Sequence, residues 1–243
     1  EKIYHRLLAE LPPNDPSLGD LYWNLGRVTL DKAAYDSSLE CFRKSLVIEE
    51  QEGLSNYVNI GNLYNCIGNV YRRMRELERA LENYKKAIEL FRNANDEDHS
   101  DMAAFYNNIA IVYDGQKKYT EALDFHKKSL AIRKQHLPPN HRDIAGSHNN
   151  IGLVYFDLNK YDLAMEHYQQ SLQIKLKSVP GDHPDIAKSY ENIALIHEKK
   201  REWKQALELF EKALNIYQHA FSSQHPDVLK VQADIERVSA NLK

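Results

Sequence analysis

Asn107-Asn108-Ile109-Ala110 is followed, 42 residues on, by Asn149-Asn150-Ile151-Gly152. The same step links Gly26, Gly68, Ala110, Gly152 and Ala194. A second series runs in phase: His99, His141, His183 and His225, each followed two residues later by an aspartate (Asp101, Asp143, Asp185, Asp227). Self-similarity at a fixed step marks a solenoid, whose units bury their apolar faces only by stacking on one another. Within one step, Ile144, Ala145, Ile151, Gly152, Val154, Tyr155 and Leu158 fall at helical spacing. After Lys160, residues Tyr161, Ala164, Met165, Tyr168, Leu172, Ile174 and Leu176 mark a second helix, which Val179-Pro180-Gly181 ends. Each unit is therefore predicted to be a helix, a tight turn, a helix and a short loop, an antiparallel pair of helices of about 17 residues each.

The chain has 243 residues, 42% hydrophobic and 28% charged, with a mean hydropathy of −0.64. That is enough for a packed core under a wet surface. A net charge of −3 and a pI near 6.4 remove the general electrostatic reason to expect nucleic acid. No apolar run approaches the roughly 18 residues of a membrane span, and Glu1-Lys2-Ile3-Tyr4-His5 does not read as a signal peptide. Cys41 and Cys66 fit neither a disulfide framework nor a metal site, so a cytoplasmic protein with reduced thiols is expected. There is no phosphate-binding glycine loop, nucleophile elbow or zinc-protease motif. The expectation is a non-enzyme without cofactor or metal.

The loop signature has a local reading. In Asp182-His183-Pro184-Asp185, proline suits the first helical position, and Asp185 falls in the first turn, at the positive end of the helix dipole. Gln224-His225-Pro226-Asp227 repeats this, and Asp15-Pro16-Ser17 is a worn version. The recurring histidines lie on successive helix pairs ~10 Å apart, too far for shared metal bonds of ~2 Å, so they are expected to cap helices. Repeat 2 lacks the signature and reads Asn56-Tyr57-Val58-Asn59.

Small residues with interleaved aromatics recur in one frame: Tyr64, Gly68, Tyr71, Ala80, Tyr84 and Ala87, then Gly152, Tyr155, Ala164, Tyr168 and Ser171. This resembles the tetratricopeptide repeat, and the long step with Asn-Asn-Ile-Ala and His-Pro-Asp resembles the units of kinesin light chains. The resemblance implies an all-α, right-handed superhelical solenoid of antiparallel helix pairs. The register places a second-helix remnant and loop over 1–14, repeats over 15–53, 54–95, 96–137, 138–179 and 180–221, and a capping helix in 222–243. Leu11-Pro12-Pro13-Asn14 matches Leu137-Pro138-Pro139-Asn140 three steps later, so the chain is expected to be a piece of a longer protein. Thr29 and Ser38 in repeat 1 depart from the usual tyrosine and alanine, and Glu236 stands where the last helix should carry a small residue.

In this class the first helices line the concave side, with four positions per helix pointing into the groove. Repeat 1 gives Asp20, Trp23, Arg27 and Leu30; repeat 2 gives Asn62, Asn65, Asn69 and Arg72. Asn107, Ile111 and Asp114 follow, then Asn149, Leu153 and Phe156, then Lys188, Glu191, Leu195 and Glu198. An asparagine offers an acceptor and a donor together, matching both groups of an extended backbone. The resemblance assigns that role directly to Asn107 and Asn149, and more loosely to Asn65. Alternatively, these asparagines bond neighbouring helices and hold the superhelical pitch. Asn24, Asn108, Asn150 and Asn192 sit nearer the seam between repeats. Trp203 aligns with Tyr35, Tyr119 and Tyr161 and reads as core, whereas Trp23 aligns with Asn65, Asn107, Asn149 and Glu191 and is a candidate anchor.

Arg27, Arg72, Arg73 and Arg75 make the front basic and suited to acidic residues of a ligand, which Glu191 and Glu198 would repel at the rear. The expected function is a monomeric scaffold that binds a protein or peptide segment in its concave groove. A self-association module and a substrate-recruiting region of a larger enzyme are the alternatives.

Overall fold

The computed structural model describes residues 2–12, 15, 17–51 and 56–242; Pro13, Asn14 and Pro16 of the front loops fall outside them. Among the described residues there are twelve α-helices and no strand. They are α1 (Lys2–Glu10), α2 (Leu18–Asp31), α3 (Tyr35–Gln51), α4 (Tyr57–Arg73), α5 (Leu77–Asn93) and α6 (Met102–Gly115). Then come α7 (Tyr119–His136), α8 (Arg142–Asp157), α9 (Tyr161–Ser178), α10 (Pro184–Lys199), α11 (Trp203–Ala220) and α12 (Pro226–Ser239). The chain forms two compact units, Glu1–Lys118 with α1–α6 and Tyr119–Lys243 with α7–α12. Within unit 1, α2 packs on α3 and α4 on α5; within unit 2, α8 packs on α9, α10 on α11, and α12 closes against α11.

The small residue of the repeating motif lets each first helix lie against an aromatic ring of its partner. A Cβ on Gly68 would stand 2.5 Å from the Tyr84 ring, and one on Gly152 would stand 2.7 Å from the Tyr168 ring. Ala194 accommodates Phe210 in the core of unit 2, and Trp203 packs against that same cluster. The departures in repeat 1 find partners of their own. Thr29 Oγ1 donates to the Leu25 and Gly26 carbonyls at 2.9 and 3.0 Å, and Ser38 Oγ to the Gly26 carbonyl at 2.7 Å.

Each tight turn contains a left-handed residue that is not glycine: Ala33, Arg75, Lys117, Asn159 and Arg201, one per step, with φ between 57° and 65°. The left-handed geometry releases the chain from the first helix and allows immediate entry into the second. The loops before the first helices are closed by histidine. Nδ1 of His99, His141, His183 and His225 accepts the N–H of the aspartate two residues on, at 3.1–3.3 Å. The ring nitrogen thus does what a serine or aspartate oxygen usually does at such a position, while Pro184 and Pro226 open their helices as expected. Repeat 2, lacking the histidine, gathers Asn56 and Asn59 on the buried Glu49 carboxylate at 2.7 and 3.0 Å.

Unit 2 adds a staple that recurs at the same step. Arg133 donates to the Asp143 carbonyl and the Ser147 hydroxyl, and Lys175 donates to the Asp185 carbonyl and the Ser189 hydroxyl. Each cation ties the end of a second helix to the opening turn of the next first helix. Burial pulls both basic groups below their ordinary pKa, against the opposing pull of Asp143 and Asp185.

Candidate functional site

The first-helix faces of the two units differ. In unit 1, Trp23, Asn62, Asn65, Asn69, Arg72, Asn107 and Ile111 are half-buried, and Arg27 and Arg73 are exposed. The second asparagine of one repeat reaches back to the first asparagine of the repeat before it: Asn108 Nδ2 donates to Asn65 Oδ1 at 2.8 Å. Asn62 donates to Asp101 at 2.7 Å, and Asn69 accepts from the Tyr84 hydroxyl at 2.9 Å. Arg73 donates to the Leu30 carbonyl at 3.1 Å, at the end of α2, where that carbonyl also accepts the Ala33 N–H at 3.0 Å. Arg72 lies near the Tyr84 hydroxyl, with its Nε buried and without a partner among the described residues.

Unit 2 repeats the rung: Asn192 Nδ2 donates to Asn149 Oδ1 at 2.9 Å. Asn149 and Phe156 are half-buried, and Leu153 is 39% exposed. Phe156 leans on the Tyr161 ring, with centroids 5.6 Å apart. The rungs therefore run from second to first asparagine, rather than as a stack of first asparagines alone. Each holds one side-chain amide in place through its oxygen and leaves its NH2 group without an acceptor among the described residues.

Glu191 corrects the sequence reading. Expected on the groove, it is only 1% exposed. Its carboxylate accepts from the Tyr217 hydroxyl at 2.5 Å and pairs with Lys230 at 2.6 Å and Lys188 at 3.4 Å. Burial, and after it the bond to Glu191, raises the Tyr217 pKa; burial opposes the rise at Lys230, which its contacts with Glu191 nevertheless bring about. Glu198 is likewise committed, bonded through both oxygens to Arg237 at 2.7 and 2.8 Å. Neither carboxylate is free to repel an acidic ligand, because α12 neutralises both. The sequence hid this, since helical position alone does not show that Lys230 and Arg237 reach back to the preceding first helix.

Trp23 stands where later repeats carry the rung acceptor, and Cys66 stands where they carry the donor. The polar rung is thus absent from the junction of repeats 1 and 2. Burial pushes the Cys66 thiol up to about 12, despite Arg27 nearby, so this thiol is unreactive. A cavity of about 750 Å3 in unit 1 lies elsewhere, between α1, α2 and α3, lined by Leu8, Leu11, Leu18, Tyr22, Leu39 and Val47 among others. No cluster of three or more metal-ligating side chains occurs among the described residues, and no described helix is long and apolar enough to cross a membrane.

A tetratricopeptide repeat model matches residues 59–135 and 143–219, more than half of the sequence, and the chain belongs to that family. Its fold is similar to that of BtubC (BKLC) from P. vanneervenii, at 17% identity and a TM-score of 0.77, covering 93% of this chain and 89% of that one. It is also similar to the nearly identical TPR-like repeats of a Podosopora anserina protein described as a kinesin light chain, at 18% identity and a TM-score of 0.70, covering 86% and 99%. A STAND signal-transduction ATPase with a tetratricopeptide repeat sensor, from Pyrococcus horikoshii, matches at 17% identity and a TM-score of 0.75, covering 99% of this chain and 34% of that one. No curated protein matches the chain. The array is a tetratricopeptide fold resembling that of kinesin light chains, the kind of fold that serves as a protein–protein interaction scaffold.

Proposed function

We propose that the first-helix faces bind an extended segment of a partner protein, with the asparagines reading its backbone. The observation that carries this reading is the state of Asn65 and Asn149. Each is fixed through its oxygen by the next repeat and keeps its NH2 group for an outside carbonyl. A donor held in one rotamer before binding spares the complex that ordering cost. Asn107 occupies the same register in repeat 3.

Trp23 supplies an apolar anchor on the face of unit 1, and the exposed Arg27 with Arg72 favours acidic residues in the ligand there. The scaffold works as a cytoplasmic monomer and performs no catalysis of its own. Peptides selected on an array against the folded chain provide the test. Asn65→Ala should weaken a peptide held by unit 1, and Asn149→Ala one held by unit 2, each by about 0.5–1.5 kcal/mol, the scale of one hydrogen bond, and Trp23→Ala should weaken the unit 1 peptide further. Asparagine variants with unchanged circular dichroism spectra and unchanged affinities would overturn the backbone-reading role.

A further inference from the structure

The second-helix side of unit 1 holds a cluster that the first-helix reading does not use. Arg43 on α3 and Arg79 on α5 both donate to the Tyr71 hydroxyl of α4, each at 2.8 Å. The Arg79 guanidinium also lies over the Tyr71 ring, 4.2 Å from its centroid. Two guanidinium groups thus meet at one neutral oxygen. Glu76 pairs with Arg79 at 2.7 Å, and Glu82 is engaged with Lys86 at 2.8 Å, which leaves the cluster one positive charge in excess.

The hydroxyl hydrogen of Tyr71 has no acceptor among the described residues, so three donor groups converge where the Glu76 carboxylate, held by Arg79, is the one anion paired with them. The arrangement is peculiar to repeat 2. The aromatic facing a basic residue recurs, as Lys127 lies 6.0 Å from the Tyr155 ring. A second arginine does not, because Glu121, Leu163 and Gln205 stand at the register of Arg79; in repeat 3 it is Lys118 that lies 5.7 Å from the Tyr113 ring.

We propose that Arg43, Arg79 and the Tyr71 hydroxyl form a binding site for a phosphate monoester, the phosphorylated serine or threonine of a protein partner. Three terminal oxygens and close to two negative charges match two planar, permanently charged forks and one hydroxyl better than a single carboxylate does. The site is independent of the first-helix faces, so it stands whether or not these bind a peptide.

The probe is O-phosphoserine, titrated at constant ionic strength into 15N-labelled protein and followed by the arginine side-chain N–H resonances. Saturable shifts confined to Arg43 and Arg79 are expected. Arg43→Gln and Arg79→Gln should each weaken binding about tenfold, the scale of one charge-assisted contact, and Tyr71→Phe should weaken it less. Arg92→Gln, an exposed change on the same α5, should leave it unchanged. Shifts that do not saturate, or that saturate in Arg43→Gln with the affinity of the unsubstituted protein, overturn the site. Equal affinity for acetate overturns the assignment to phosphate.

Discussion

Gly68 and Gly152 owe their place to a neighbour rather than to backbone freedom, since both lie in helical conformation with an aromatic ring where a side chain would begin. Gly68→Ala should destabilise the protein by about 1–3 kcal/mol, the range for overpacking a filled core, read as a lower urea midpoint at unchanged slope. An unchanged midpoint would mean that Tyr84 moves aside without cost. These glycines were legible in the sequence because their spacing repeats. The left-handed turn residues were not, because Ala33, Arg75 and Lys117 carry no turn chemistry in their side chains. The histidine caps were half legible: their recurrence pointed to structure, but the atom that accepts the hydrogen bond is the ring nitrogen, a role usually taken by oxygen.

At the scale of helices, the first and second halves of the chain tie neighbouring pairs together by different chemistry at one register. Arg133 with Ser147 and Lys175 with Ser189 form polar staples in unit 2, whereas Phe91 packs edge-on against Phe105 in unit 1, with centroids 5.4 Å apart. Periodicity predicts that something must fill the seam, but not which chemistry fills it. The capping helix α12 is held by Lys230 on Glu191 and Arg237 on Glu198 as well as by Val228, Val231 and Val238 in the core. Lys230→Ala leaves the Glu191 carboxylate buried with Lys188 and Tyr217 alone. We expect a loss of about 1–3 kcal/mol, the penalty for an under-satisfied buried charge. Hydrogen exchange should show it first as lost protection in α12, and uniform protection across α10–α12 would contradict this account. The reading of Glu191 as a groove residue failed here because a side chain's partners, rather than its helical position, decide whether it meets solvent.

At the scale of the whole molecule, the two units differ in their response to acid. Burial lowers His126 and His148 to about 4, helped by Arg133 in the first case and by Lys134 and His167 in the second. Burial also lowers His167, whose Nδ1 lies 3.0 Å from that of His148; Lys127 and Lys134 act in the same direction and Glu166 against it. In the unfolded chain such histidines titrate near 6.5. Between about 6.5 and about 4 the unfolded state therefore binds more protons at these histidines, so they cost unit 2 stability as pH falls through that window and add no pH dependence above it. Thermal melts at pH 7.5 and pH 5 should show a lower melting temperature at pH 5. His148→Tyr, which installs the residue found at Tyr22, Tyr64, Tyr106 and Tyr190, should reduce the difference. Equal melting temperatures at both pH values would show that these rings are not neutral in the folded protein.

The asparagine rung has a consequence for descent. Because Asn108 serves Asn65 and Asn192 serves Asn149, a copied repeat carrying both residues would offer the rung's acceptor on one side and its donor on the other, so at this contact one copy can follow another. The junctions at Trp23 with Cys66, and at Glu191 with Lys230, lack that interchangeability. A shuffled repeat placed at either would set an amide against an indole or leave a buried acid without its base. At these contacts the order of the repeats matters as well as their number.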